Sequence, residues 1–318
     1  MLTAVFLIVG TAVIAVWIVV AQTMFQVDEE LSDKRVDPQR LEGHVRIISE
    51  EFYPRDYRNV ANLDRCAGYI LENFRVAGAS NVRFQEFEVM GKSYKNVIAF
   101  FDSPSDERIV VGAHYDAYRD THGADDNASG VAGLLELARL LSKYPVDRDV
   151  ELVAYTLEEP PFFTTNQMGS FRHAENLSVD SVNVKVMISL EMIGYFTDSE
   201  NSQNYPMPLL KLFYPSRGNY ISLVSGLDQR PVTKKMKAIM KGATDLPVHS
   251  INAPSFIAGV DFSDHRSYWQ NGYKGIMVTD TSFYRNKSYH EKTDSFKRLD
   301  YERMGKVVTG VYEAVKKL

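Results

Sequence analysis

Cysteine is nearly absent from this 318-residue chain, where Cys66 stands alone. A single thiol rules out an intrachain disulfide and a thiolate zinc cluster. Any transition-metal site must therefore use imidazole and carboxylate, which points to catalytic rather than structural zinc. Basic excess is missing too: the formal net charge is −5 and no lysine–arginine stripe occurs, so nucleic acid has no electrostatic footprint here. No internal repeat or low-complexity tract is evident. What is present, 45% hydrophobic and 24% charged residues, is an ordinary globular composition with room for one large domain or two small ones.

Charge is also lacking from residues 2–27, and residues 5–20 are almost all apolar. Such a run spans a hydrocarbon core of roughly 30 Å as a helix. Three readings compete: an uncleaved single-pass anchor, a signal peptide cut after Ala21, or a buried globular helix. The segment has no basic stretch before its apolar run, and that run exceeds a usual signal core, which favours an anchor over residues 1–25. The first cations beyond it, Lys34, Arg35 and Arg40, leave its orientation open. Residues 26–40 read as a charged linker, and 41–318 as the folded domain.

Within that domain, apolar spacing predicts helices at 41–51, 63–77, 231–241 and 301–317. A further helix follows Gly130, with Val131, Leu134, Leu135, Ala138 and Leu141 on one face. Strands are expected at 82–89, 96–101, 109–113, 150–156, 184–190, 220–225, 248–251 and 276–279. Residues 198–219, rich in Asn, Ser, Gln, Pro and Tyr, form a long irregular loop of the length usually functional. Alternating strands and helices predict an α/β fold: a three-layer sandwich, a mostly parallel mixed sheet with helices on both faces, and the N-terminal hydrophobic helix in addition.

Polar groups gather where the apolar strands stop: His114 and Asp116, Asp126, Glu158 and Glu159, Glu191, and His290. Brought to one sheet edge, these carboxylates repel unless protons or cations intervene. Two divalent ions with nitrogen and oxygen ligands fit the set. Taken singly, each signal has a plain structural alternative. Glu158-Glu159 could be a solvated turn, and Asp125-Asp126-Asn127 a turn before a helix capped by Ser129. His44, His122, His173 and His249 read as surface or packing residues, while Asp264-His265 is an intermediate case.

Together, Gly123-Ala124-Asp125-Asp126-Asn127-Ala128-Ser129-Gly130, Glu158-Glu159, Leu190-Glu191-Met192-Ile193-Gly194-Tyr195, Ser263-Asp264-His265 and Tyr289-His290 occur in this order. From about residue 41 to 318 this resembles the di-zinc exopeptidase family typified by bacterial leucyl aminopeptidases, with glutamate carboxypeptidases and glutaminyl cyclases as relatives. The resemblance implies zinc, two ions per chain, with His114, Asp126, Glu159, Glu191 and His290 as ligands and Asp126 as the bridge. Glu191 stands where these aminopeptidases usually carry aspartate, so its mode of ligation is open. Asp116 would orient His114, Asn127 would follow a cis peptide bond, and Ser263 and Asp264 would support the site. Glu158 would be the general base acting on a zinc-activated water, and Tyr289 would donate to the oxyanion. The implied reaction is removal of N-terminal residues from peptide substrates. A glutaminyl cyclase-like activity, a carboxypeptidase activity with Arg217 as the candidate cation, and a non-catalytic interaction domain are the alternatives. With an anchor, the catalytic domain is expected outside the cytoplasm; with a cleaved segment, secreted.

Overall fold

A computed structural model of the chain describes Ala21, residues 30–105 and residues 107–318. Apart from Ala21, the segment expected to be an anchor or signal, 1–25, lies outside the described residues. Among the described residues no helix is long and apolar enough to cross a membrane. Ala21 itself is buried, and its carbonyl accepts hydrogen bonds from Lys237 Nζ at 2.7 Å and Ser250 Oγ at 3.0 Å.

Helix α1 spans Pro38–Arg46. Its start is set by Asp37, whose carboxylate accepts the Gln39 N–H at 2.9 Å, and by Pro38, whose missing N–H has no partner to lose in a first turn. It therefore begins inside the expected 26–40 linker. Part of that linker is also docked, because Ser32 donates its N–H to the Ala243 carbonyl at 3.0 Å and its hydroxyl to Glu313 at 2.7 Å. The packed chain thus starts before residue 41.

The remaining elements follow as α2 (Val60–Val76), β1 (Asn81–Val89), β2 (Lys92–Phe101), β3 (Arg108–His114), α3 (Gly130–Lys143), β4 (Asp149–Tyr155), α4 (Gly169–Val179) and β5 (Val184–Glu191). After them come β6 (Ile221–Ser225), α5 (Arg230–Ala243), β7 (Val248–Asn252), α6 (His265–Gln270), β8 (Gly275–Thr279) and α7 (Tyr301–Lys317). Helix α4 was not foreseen. Its buried apolar side chains are only Ala174 and Leu177, too sparse for a helical period to stand out.

One sheet runs in the order β1-β2-β4-β3-β5-β8-β6-β7. Strands β4, β3, β5 and β8 are mutually parallel, as are β6 and β7. The pairings β1–β2, β2–β4 and β6–β8 are antiparallel, so the sheet is more evenly mixed than the strand spacing suggested. Alternate residues of β3 face opposite layers. Ile109, Val111 and Ala113 join the main core with residues of α1, α2, α3, α5 and α7. Val110 joins a second cluster with Val153, Met187 and the α4 pair Ala174 and Leu177. Burial on both faces explains the unbroken apolar runs.

From β3 the chain steps to β4 on one side, then returns to β5 on the other. Strand order reverses there, and such a reversal opens a crevice at the carboxyl ends of the parallel strands. The polar residues singled out above collect at that crevice.

Candidate metal centre

Strand β3 delivers His114 to the crevice, fully buried. Its Nδ1 lies 3.2 Å from the Asp116 carbonyl, which leaves Nε2 directed at the acids. The Asp116 carboxylate is farther, at 3.6 Å, because it is engaged elsewhere: its two oxygens accept the N–H groups of Glu158 and Glu159 at 3.2 and 3.1 Å. Asp116 thus ties the turn after β4 to the end of β3. The loop beyond it is braced by Arg55, wholly buried, which donates to the carbonyls of Tyr115, His122 and Gly123.

The next stretch, Ala124–Ser129, bends at Asp126 and Asn127, and the peptide bond between these two is cis. Asn127 fastens the bend to β5. Its Nδ2 donates to the Leu190 carbonyl at 2.9 Å, and its Oδ1 accepts the N–H groups of Met192 at 3.0 Å and Gly130 at 3.2 Å. Backbones approach so closely here that a Cβ on Gly130 would sit 2.5 Å from the Leu190 carbonyl. Asp294, not foreseen, accepts the N–H groups of Asp125 and Asp126 at 3.1 Å. Asp125 points away from the acids and accepts from Gly194 N–H and Asn286 Nδ2, in keeping with a loop-forming rather than a ligating residue.

This scaffold sets the Asp126 carboxylate between two imidazoles. Oδ1 lies 3.4 Å from His114 Nε2, and Oδ2 lies 3.2 Å from His290 Nε2. Glu191, at the end of β5, is 3.4 Å from His114 Nε2, and Glu159 is 3.2 Å from His290 Nε2. Two groups, His114–Asp126–Glu191 and Asp126–Glu159–His290, therefore each converge three donor atoms within 4.8 Å and share Asp126. Glu158 stands beside them, 3.9 Å from His114 Nε2. Ser263 holds Glu191 with a 2.8 Å hydrogen bond and is itself bonded to Ser189 at 2.7 Å. Asp264 is buried nearby, with neither carboxyl oxygen hydrogen-bonded among the described residues. His265 turns from the crevice, meeting the Val260 carbonyl at 2.9 Å.

The electrostatics follow from crowding. Burial pushes Glu158 well above the usual carboxyl range, the field of His114 opposing and those of Glu191 and Glu159 adding. Burial and the charge of Asp126 push Glu159 up to about 7. Burial would lower His290, but its contacts with Asp126 and Glu159 win and raise it to about 10. Burial works against Asp126 as well, yet the two imidazoles beside its carboxylate hold it below the usual range. This is a field that draws cations. His114 Nε2 and Glu159 Oε1 are, moreover, buried without a hydrogen-bond partner among the described residues.

Tyr289 and Tyr118 sandwich the His290 ring, at centroid distances of 3.8 and 4.0 Å and interplanar angles of 18° and 5°. Burial raises the Tyr289 hydroxyl above its ordinary range, so it stays protonated at neutral pH. Tyr118 carries no signal in sequence; a tyrosine in a polar loop is unremarkable until the fold brings His290 against it.

The acids open onto a chamber of about 1010 Å³ that includes its open mouth. Its walls come from the expected loop 198–219 (Gln203, Tyr205, Leu210, Tyr214), from Ile257 to Val260, and from Thr281 to Tyr284. Its floor is an apolar cluster of Val224, Val260 and Met277 backed by Ile251. Among the described residues no lysine or arginine lines it. Arg217 instead pairs with Glu200 at the surface, 2.8 Å away.

Comparison with known proteins adds the following. The model of peptidase family M28 matches residues 96–315. The uncharacterized protein YfbL of Escherichia coli (strain K12) is 46% identical over 286 residues, 87% of each chain. Leucine aminopeptidase 1 of Pyrenophora tritici-repentis (strain Pt-1C-BFP) is 24% identical over 289 residues, 85% of this chain and 68% of that one. Among solved structures, BSAP, a zinc aminopeptidase from Bacillus subtilis, matches with a TM-score of 0.70 at 15% identity, covering 90% of this chain and 95% of that one. A Bacteroides thetaiotaomicron glutaminyl cyclase bound to N-acetylhistamine matches with a TM-score of 0.67 at 19% identity, covering 90% and 99%. At these identities the two structures speak for the fold, which a peptidase and a cyclase share.

Proposed function

The chain belongs to peptidase family M28, and on that premise we propose that it is a zinc-dependent metallo-exopeptidase that removes N-terminal residues from peptides. The observation that carries this reading is the Asp126 carboxylate shared by two three-donor groups at the head of an apolar chamber.

In this reading His114, Asp126 and Glu191 hold one zinc, and Asp126, Glu159 and His290 a second. The donors suit that metal: each group has one imidazole nitrogen and two carboxylate oxygens. With neutral imidazoles, the four carboxylates Asp126, Glu158, Glu159 and Glu191 carry four negative charges, which two divalent ions balance. Zinc bound there would supply Lewis acidity toward water and the peptide carbonyl. Glu158 accepts the proton as the water oxygen bonds to the carbonyl carbon, then passes it to the amine nitrogen as the C–N bond breaks. Tyr289, kept protonated, donates to the oxyanion, and the sandwich with Tyr118 fixes the His290 ring.

Polarity at the chamber favours the amino end of a peptide. The lining's carboxylates suit a cationic α-amine, whereas among the described residues no lysine or arginine lines the chamber to pair with a terminal carboxylate. A carboxypeptidase reading loses its candidate cation because Arg217 is paired with Glu200 outside the lining. Cyclisation of N-terminal glutamine is the second reading, supported by the fold shared with a glutaminyl cyclase. The two complete donor groups favour hydrolysis over it. We further place the domain outside the cytoplasm, held to the membrane by residues 1–25 as a single-pass anchor. Turnover of aminoacyl chromogenic substrates by the full chain, with zinc measured in parallel, tests the activity: no turnover and no bound zinc would remove the reading.

A further inference from the structure

An apolar rim faces solvent beside the chamber mouth. Met207, Leu209 and Leu212 lie in or next to the turn Pro208–Leu212, whose Leu210 lines the chamber. Phe256 precedes Ile257 of the same lining. Leu209 is 52% exposed and Phe256 83%. Exposed apolar side chains are usually scattered singly; here they come from the two segments that build one wall. Those segments, 205–214 and 253–260, contain no acidic residue and one cation, the exposed Lys211.

A second observation places Ala21, within the uncharged N-terminal stretch, on this side. The Tyr214 hydroxyl, from the rim segment, donates to the Ser250 carbonyl at 2.8 Å. The Ser250 hydroxyl donates in turn to the Ala21 carbonyl at 3.0 Å. Ser250 belongs to β7, the edge strand of the sheet, so Ala21 and the rim share one edge of the molecule.

We propose that Met207, Leu209, Leu212 and Phe256 form a membrane-contact surface that seats the chamber mouth against a lipid bilayer. This rests on the anchored reading of the chain. The uncharged residues 2–20 ahead of Ala21 are long enough as a helix to cross roughly 30 Å of hydrocarbon, and Ala21 itself is bonded to the edge that bears the rim. Apolar side chains with a neighbouring cation and no acid suit the headgroup–acyl boundary of a membrane containing anionic lipid. A chamber seated there receives the apolar ends of peptides that partition into the bilayer.

The test uses the full chain in vesicles of phosphatidylcholine and phosphatidylglycerol, with an environment-sensitive fluorophore on Leu209→Cys or Phe256→Cys and shallow spin-labelled lipid as quencher. Cys66 does not compete for label, since it is buried with its thiol pushed up to about 12. Met90→Cys and Val179→Cys, about as exposed as Phe256 and more exposed than Leu209 but away from the β7 edge, are the controls. The proposal expects blue-shifted emission and several-fold stronger quenching at 209 and 256 than at 90 and 179. Equal quenching at all four, or none at 209 and 256, overturns it. A blue shift without lipid quenching also overturns it, because the rim would then be covered by protein. Turnover of a soluble substrate by each labelled chain is read separately, so a failed peptidase reading shows as absent activity with the quenching pattern intact.

Discussion

Asp126 Oδ2 lies 3.2 Å from His290 Nε2, while the other oxygen of the same carboxylate lies 3.4 Å from His114 Nε2. One side chain thus joins two donor groups that have no other member in common. Asp126→Ala should strip most zinc from both groups, whereas His290→Ala should remove about one equivalent of two. Metal analysis of the purified chains, with circular dichroism to confirm folding, decides it; retention of full zinc by Asp126→Ala would count against the shared ligand.

Glu158 faces the same acids but belongs to neither donor group. Glu158→Gln should lower kcat by about 10²–10⁴ with zinc content unchanged. Steady-state kinetics on an aminoacyl chromogenic substrate check this. Wild-type turnover would mean the proton is carried elsewhere.

The bond from Ser263 to Glu191 falls on Oε2, the same oxygen that lies 3.4 Å from His114 Nε2. Ser263→Ala should weaken zinc affinity by about 10–100-fold, the usual cost of removing a partner that orients a ligand. Competition against a calibrated chelator measures it, and unchanged affinity would assign Ser263 to packing.

The chamber floor of Val224, Ile251 and Met277 offers no partner for a charged side chain. Peptides beginning with Leu or Phe should exceed those beginning with Asp or Lys by at least about 100-fold in kcat/KM, because an unpaired charge there costs several kcal/mol. Met277→Arg should shift preference toward an acidic first residue. Equal rates across all four would show that the side chain does not enter the chamber.

Away from the site, Glu136 links α3 to α1 through Arg40 at 2.8 Å and also meets Arg139 at 3.2 Å. Burial alone would raise its carboxyl, but contacts with His44 and Arg40 prevail and hold it down at about 2. A depressed carboxyl contributes its full stability above the unfolded value, near pH 4.5, and loses it as pH falls toward 2. The contribution is about 2 kcal/mol once the half-exposed arginines are allowed for. Denaturant titrations should give Glu136→Gln a loss of this size at pH 7 that shrinks through that window; a pH-independent loss would refute the linkage.

Of the candidate residues that the structure brings together, four end an apolar run or follow one closely, while Asp126 and His290 lie in loops and were read from their ordered company with the others. His114, Glu158, Glu159 and Glu191 stand at the ends of β3, β4 and β5, where the switch from apolar to acidic has no packing explanation. The partners that hold them were not legible. Asp116 was expected to orient His114, and its main-chain carbonyl lies against Nδ1 of that ring; that its carboxylate instead accepts two N–H groups was not legible. Arg55 and Asp294 act on backbone groups, which leaves no pattern in side-chain spacing. The loop 198–219 was read as functional and does line the chamber, but it follows no period, so the chamber's shape appears only once it meets residues 257–260 and 281–284.

The central claim is hydrolysis at the amino end of a peptide. The most direct measurement is mass analysis of products from one apolar peptide given to the zinc-loaded full chain in three forms: free at both ends, acetylated at the N-terminus, and amidated at the C-terminus. The account predicts stepwise loss of N-terminal residues from the free and amidated forms and no cleavage of the acetylated one. Cleavage of the acetylated form with protection of the amidated one would contradict it, as would cyclisation of an N-terminal glutamine without peptide-bond hydrolysis.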